Sequence, residues 1–395
     1  MKSAVRSDLD APTRWPALEG IRGIAVLAVV LFHATRLVLL RDGGNWGDVS
    51  PVWWPVATGR FGVDVFFVLS GFLIVGSWRA ARQRTVSFGR AVADCAGRRA
   101  WRVLPPYWVS LLVLVPLAAP HLLGEPDNLL RLITVQQYFD THLPSEINVV
   151  YWSLTTEVHF YLVVPVVGWV LHRVGGWPLV AAAVALGVWW IETESRGEFP
   201  ASFISGRLHQ FAVGAVAAGL VARHEQGDTP RLVRLATAPA MGWVLVVAAG
   251  ALGVYHGATY RRPSEVPIEG YLHLVASFVI AAAVINLLCR DRLTVCHSRP
   301  LRFFGLISYS IYLWHFPVLE YGLPLVGLDA GGTTTGSLAG VAALWLILLS
   351  LLAGLAAYLL VERPFIQLQA KRTSRRKREV AKVTEANNAP AKTLR

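Results

Sequence analysis

Apolar runs of about twenty residues, each nearly free of charge, recur along this 395-residue chain and limit its fold more than any other feature. They fall at about 17–40, 57–78, 105–123, 149–171, 176–191, 203–222, 236–255, 268–289, 303–327 and 337–361. A run of that length matches the hydrocarbon thickness of a bilayer. In lipid the backbone must satisfy its own hydrogen bonds, so only helices and closed barrels span, and these Leu-, Val- and Ala-rich runs lack the alternation of barrel strands. The expected fold class is therefore all-α: a polytopic membrane protein of about ten transmembrane helices. Hydrophobic residues make up 54% and charged residues 16%, against roughly a quarter charged in ordinary soluble proteins. That balance excludes a disordered or nucleic-acid-wrapping chain and turns the net charge of +12 into a matter of topology. The first run has no basic cluster directly before it and no small-residue cleavage site, so it reads as a true first helix rather than a removable signal.

Topology follows from the Lys and Arg. Segment 79–104 holds seven Arg (Arg79, Arg82, Arg84, Arg90, Arg98, Arg99, Arg102), segment 290–302 holds four, and the tail after Val361 holds ten Lys or Arg, while the alternate connections are nearly bare. The positive-inside rule then places both termini in the cytoplasm with an even number of helices. Residues 1–16 form a cytoplasmic N-terminal segment, 17–366 one membrane domain, and 367–395 a basic tail whose polar, aperiodic sequence predicts disorder. Cys95, Cys289 and Cys296 fall in or beside cytoplasmic connections, where thiols stay reduced, and none has His or Cys partners at metal-ligand spacing.

Ionisable residues at bilayer depth are costly and mark candidate functional sites. On helix 1, Arg22 and His33 are eleven residues apart, which returns them to within about 20° of one another over a rise of roughly 16 Å. Arg22, Val26, Val29 and His33 form one stripe suited to a long molecule with an anionic head. Helix 2 carries Asp64 among Gly59, Gly62 and Gly71, which permit close helix approach. Asp64 needs a cationic or protonatable partner, and His33 is a candidate. Its alternative is a carboxylate that caps backbone or meets water near the outer end. On helix 4, Ser153, Glu157 and Tyr161 stack at i, i+4 and i+8 as a polar stripe, whereas His159 points about 160° away and reads as a packing residue. Arg99 and Arg102, three apart, face one way and suit phosphate, although any cytoplasmic loop is basic. Arg36, Arg207, His273 and Glu320 lie near span ends, where snorkelling explains them.

Taken together, these segments resemble the acyltransferase-3 family of integral membrane O-acyltransferases. The resemblance rests on Arg22 to His33, the block Gly62 to Gly71, Arg99 to Trp108, Trp152 to Tyr161, Ser308 to Pro317 and Glu362-Arg363-Pro364-Phe365, and spans about residues 16–366. It implies a bacterial inner-membrane enzyme that moves an acyl group, often acetyl, from acyl-CoA as co-substrate to a hydroxyl of a cell-envelope glycan or glycolipid. A macrolide or other glycosylated metabolite is the alternative acceptor. No permanently bound cofactor, metal or nucleic acid is expected.

On that reading Arg22, Arg99 and Arg102 hold the CoA phosphates and the pantetheine arm runs up helix 1. His33 is the general base, with Asp64 or Glu157 orienting its imidazole. Ser153 or Tyr309 is an oxyanion donor, and His315 is a second acid/base group or a structural residue. Direct transfer is favoured over a covalent intermediate, since no Ser sits in a nucleophile elbow. A transporter or glycolipid flippase is the reading from another class, but paired broken helices in two related halves are not evident.

Overall fold

The computed structural model describes residues 15–39, 50–84, 88–137, 147–193, 203–259, 268–290, 294–326 and 337–372. Among them all regular structure is helical. The elements are α1 (Pro16–Leu39), α2 (Gly62–Arg84, entered through short helical turns from Pro51), α3 (Phe88–Ala118), α4 (Pro126–Ile133) and α5 (Tyr151–Arg173). They continue with α6 (Gly176–Thr193), α7 (Ile204–Glu225), α8 (Arg231–Ala236), α9 (Met241–Thr259), α10 (Ile268–Arg290), α11 (Arg299–Leu306), α12 (Ser308–Gly322) and α13 (Ser337–Ala357). A helix of 23 residues, such as α5, is about 34 Å long, enough to cross a bilayer.

Eight described helices are long and apolar enough to span: Pro16–Val38, Pro51–Ser77, Gly97–Ala118, Tyr151–Leu171, Gly176–Thr193, Met241–Ala258, Ile268–Arg290 and Gly340–Arg372. Two of the ten apolar stretches in the sequence fall outside this set. One is α7, which carries Arg207, His209, Arg223 and His224. The other is divided at Ile307 into α11 and the 15-residue α12. The basic tail also starts later than its composition suggests. After α13 the chain makes a π-helical turn, Tyr358–Glu362, and stays helical to residue 372. There Gln369 donates to the Arg98 carbonyl at 3.0 Å and Arg372 lies 4.4 Å from the Trp101 ring centroid. The segment before Trp15, the tail beyond residue 372 and the side chains of Arg79, Arg82, Arg84, Arg90 and Cys95 lie outside the described residues.

Two cores meet along α1 and α2. The larger joins α2, α3, α5, α6, α7 and α10 around Phe67, Phe72, Tyr107, Phe160 and Phe211; the smaller joins α1, α11, α12 and the end of α13 around Val26, Val30, Ile311 and Tyr358. Lipid tails are as apolar as Leu, so helices in a bilayer associate through close packing of small residues. On α2 a Cβ at Gly71 would lie 2.1 Å from the Phe211 carbonyl oxygen, and on α7 a Cβ at Gly214 would lie 2.0 Å from that of Val68. Each helix thus receives the other's backbone. Gly59 and Gly62 likewise lie against the Ala28 and Ala25 carbonyls of α1, as their sequence positions predict.

Prolines inside helices redirect backbone groups. Pro317 has no N–H for the Leu313 carbonyl, and Asn148 donates to that oxygen instead at 2.9 Å. The Pro105-Pro106 pair lies within α3 rather than at its start, so Arg99 and Arg102 project from one turn of a continuous helix.

Gly214→Ala should destabilise the protein by about 1–3 kcal/mol through overpacking. Gly250→Ala, on α9 where a Cβ meets nothing within 4 Å, should be neutral or slightly stabilising. Thermal melts of the two variants in detergent distinguish them.

Candidate active site

The same helices line a cavity that is partly open to solvent. Its walls come from α2, α3, α5 and α12, with Arg22 contributed by α1. Along α5 it runs from Tyr161 to Val150, eleven residues apart, or about 16 Å.

One end is cationic. Arg22, Arg99 and Arg102 all line it, although α1 and α3 are separate in sequence. Arg22 donates to Ser308 Oγ at 3.0 Å and lies 6.0 Å from the Phe66 ring centroid; its Nε is buried without a protein hydrogen-bond partner. Arg99 sits 5.8 Å from the Tyr161 centroid. Arg102 Nε is 3.8 Å from Oε1 of Glu362, whose other oxygen accepts from Ser310 at 2.6 Å. Glu362 is fully buried. Glu362 opens one of the blocks that carry the resemblance, but no role for it was legible in the sequence; it ends the π-helical turn Tyr358–Glu362, and such turns recur at functional sites.

The α5 stripe forms one wall. Glu157 Oε1 accepts from Ser70 at 2.6 Å and from Tyr161 at 2.5 Å. Ser153 donates to the Val150 carbonyl at 3.0 Å and shares a 2.7 Å hydrogen bond with the Tyr312 hydroxyl. Tyr309 lines the cavity too, but its hydroxyl donates to the Val103 carbonyl at 2.7 Å. The protons of both candidate oxyanion donors are thus engaged by backbone. Phe66, which also faces Arg22, meets Tyr312 edge to face, ring centroids 6.0 Å apart.

Beyond that contact lies an imidazole pair. His33 Nδ1 is 3.0 Å from Nε2 of the fully buried His315, and Phe316 contacts the His33 ring edge-on at 5.3 Å between centroids. Neither histidine lines the cavity. Tyr312 links the two regions, since it lines the cavity and its carbonyl lies 2.8 Å from His315 Nδ1.

Two expectations change. The α1 stripe is not an open track, because Val26 and Val29 are buried and the Val29 side chain packs against Gly62; the route inward lies between α2, α5 and α12. Asp64 does not pair with His33. It accepts from Gln210 and, at 2.9 Å, from His273, with Arg207 Nη1 at 3.6 Å. Asp64, Arg207, Gln210 and His273 are all buried, joining α2, α7 and α10. Arg207 and His273 are therefore interior partners of a carboxylate rather than snorkelling side chains. Periodicity within one helix could not reveal a pairing across three.

Residues 15–362 match the family model described as Acyltransferase domain. The acyltransferase MdmB of Streptomyces mycarofaciens is 28% identical over 390 residues, covering 91% of this chain and 93% of the relative. The peptidoglycan O-acetyltransferase OatA of Listeria monocytogenes is 25% identical over 339 residues, covering 79% of this chain and 50% of OatA. No solved structure matches the chain.

Asp64→Leu should remove a carboxylate partner of the buried Arg207 and cost about 3–5 kcal/mol, whereas Asp64→Leu combined with Arg207→Leu should recover part of that loss. Melting midpoints of the two variants in detergent check this.

Proposed function

Since the chain belongs to the acyltransferase-domain family and is an acyltransferase, we propose that it transfers a short acyl group, acetyl in the first instance, from acyl-CoA to a hydroxyl of a cell-envelope glycan or glycolipid. The observation that carries this reading is the three-arginine end of a 16 Å cavity that runs toward an imidazole pair. With both termini cytoplasmic, as the distribution of Lys and Arg predicts, the arginine end lies at the inner face, where acyl-CoA is found. OatA's name as a peptidoglycan O-acetyltransferase supports a glycan acceptor.

Arg22, Arg99 and Arg102 hold the phosphates through charge-assisted hydrogen bonds. The buried Arg22 Nε and the spacing of Arg102 from Glu362 leave donor capacity for an anion. Glu362 holds the Arg102 side chain at the cavity end, and Glu157 fixes Tyr161 and Ser70 along the wall. The pantetheine arm extends toward Phe66 and Tyr312. Tyr312 is three residues before His315, a rise of about 4.5 Å, so the thioester arrives one turn from the imidazole pair. Phe66 is the side chain that must give way for the two to meet.

His33 acts as general base. It takes the proton of the acceptor hydroxyl as that oxygen attacks the thioester carbonyl; the C–S bond then breaks, and the departing thiolate takes the proton from His33. The two protonation changes cancel on His33, and the hydroxyl's proton leaves with CoA as its thiol. The deep position of the reaction keeps bulk water from the thioester and favours transfer over hydrolysis.

Purified protein given acetyl-CoA and soluble peptidoglycan fragments should release CoA thiol, and His33→Ala should abolish that release while still folding. Arg102→Ala should raise KM for acetyl-CoA by tenfold or more, the loss of about one charge-assisted hydrogen bond, with kcat largely kept. Normal release by His33→Ala would remove it as the base, and an unchanged KM in Arg102→Ala would remove the arginine end as the donor site.

A further inference from the structure

The hydrogen bonds around the two histidines fix which nitrogen of each carries a proton, and with it the part His315 plays. His315 Nδ1 faces two backbone carbonyls, Tyr312 at 2.8 Å and Ile311 at 3.2 Å. A carbonyl only accepts, so His315 Nδ1 is the protonated nitrogen of the neutral ring and its Nε2 is an acceptor. That Nε2 lies 3.0 Å from His33 Nδ1, so His33 Nδ1–H is the donor between them. In that tautomer His33 Nε2 carries the lone pair. Two backbone carbonyls of α12 thus set the His315 tautomer and, through it, that of His33.

We propose that His315 is a positioning residue for the acyl transfer: it holds His33 in the tautomer whose Nε2 is the base and stabilises the cation that His33 becomes. The inference rests on the reading of His33 as general base. When His33 Nε2 takes the hydroxyl proton, the imidazolium keeps its Nδ1–H on His315 Nε2, and its charge is shared along that N–H···N hydrogen bond. When the thiolate takes the proton back, both rings return to their starting tautomers with no net change in either.

This is the task often given to a carboxylate beside a catalytic histidine. A neutral imidazole performs it here at lower cost, because an ionised carboxylate at this depth would need a further partner. His315 meets that condition without charge: it is fully buried, and its own donor is satisfied by its own helix. Phe316, in T-shaped contact with the His33 ring, limits the ring flip that would exchange Nδ1 with Cδ2 and Nε2 with Cε1. Neighbouring residues 315 and 316 therefore fix the orientation and the tautomer of one side chain on α1.

Two amide substitutions of similar polarity separate this role from packing. In His315→Gln the amide reaches the place of Nε2 and can accept from His33 Nδ1–H. In His315→Asn the amide reaches only the place of Nδ1, so it keeps the donor to the Tyr312 carbonyl and loses the acceptor toward His33. CoA release from acetyl-CoA with soluble peptidoglycan fragments is measured for both beside wild type and His33→Ala, with KM for acetyl-CoA. The expected result is kcat within about tenfold of wild type for Gln and a fall of about a hundredfold for Asn, at the low end of what general-base catalysis contributes, with KM unchanged in both. Equal kcat in the two variants, or better activity with Asn, overturns the positioning role while a dead His33→Ala leaves His33 as base. Full activity in His33→Ala, or no CoA release by wild type, overturns the acyl-transfer reading and this inference with it.

Discussion

The cost of an ionised group in an apolar bundle organises this protein. A charge at bilayer depth is retained only where a partner or a cavity compensates it, and the interior charges divide along that line. Asp64 and Arg207 answer one another, with Gln210 and His273 completing the carboxylate's hydrogen bonds, and they tie α2, α7 and α10 together. Arg22, Arg99 and Arg102 instead point into open space, with Glu362 and Glu157 as acidic neighbours. Polar groups that satisfy one another hold helices, whereas those left partly unsatisfied around a cavity receive a ligand.

Close packing makes that division workable. Around Gly71 and Gly214 the backbones of α2 and α7 come into contact, and Arg207, Gln210 and Asp64 sit one to two turns from that crossing. A larger interhelical gap would lengthen the Asp64 hydrogen bonds or admit water to them. On the other face of α2, Ser70 reaches Glu157 across the cavity. One helix thus carries the structural ion pair on one side and a cavity wall on the other, so small residues in α2 govern both regions.

Much of this was legible in the residues, and what was not has a physical reason. Apolar run length revealed the helices, and the i, i+4, i+8 stripe revealed Ser153, Glu157 and Tyr161 as one wall, because both are properties of a single helix. Arg22, Arg99 and Arg102 share the cavity as their positions suggested. Partner choice between helices was not legible: Asp64 was the candidate neighbour for His33, and register and rotation put His315 there instead. The buried Val26 and Val29 show the same limit, since a stripe on one helix does not say whether the opposing surface leaves room beside it. Glu362 depends on a local change of helical pitch that no apolar pattern encodes.

The separation of the arginine end from the imidazole pair bears on how a membrane acyltransferase joins two compartments. Arg22 and His33 stand eleven positions apart on α1, about half the thickness of the hydrocarbon core. On the proposed reading, an anionic donor held at the inner surface need not itself be desolvated to bring its reactive end to mid-membrane, because its flexible arm would cover that distance while the charged head stays with the arginines. The groups at the far end are then those that tolerate burial: two neutral imidazoles, a tyrosine hydroxyl tied to Ser153 and aromatic rings. Charge is spent where water is near and avoided where the bond is made, and a neutral histidine beside His33 satisfies that requirement better than the carboxylate of Asp64, which in this fold already has its partners.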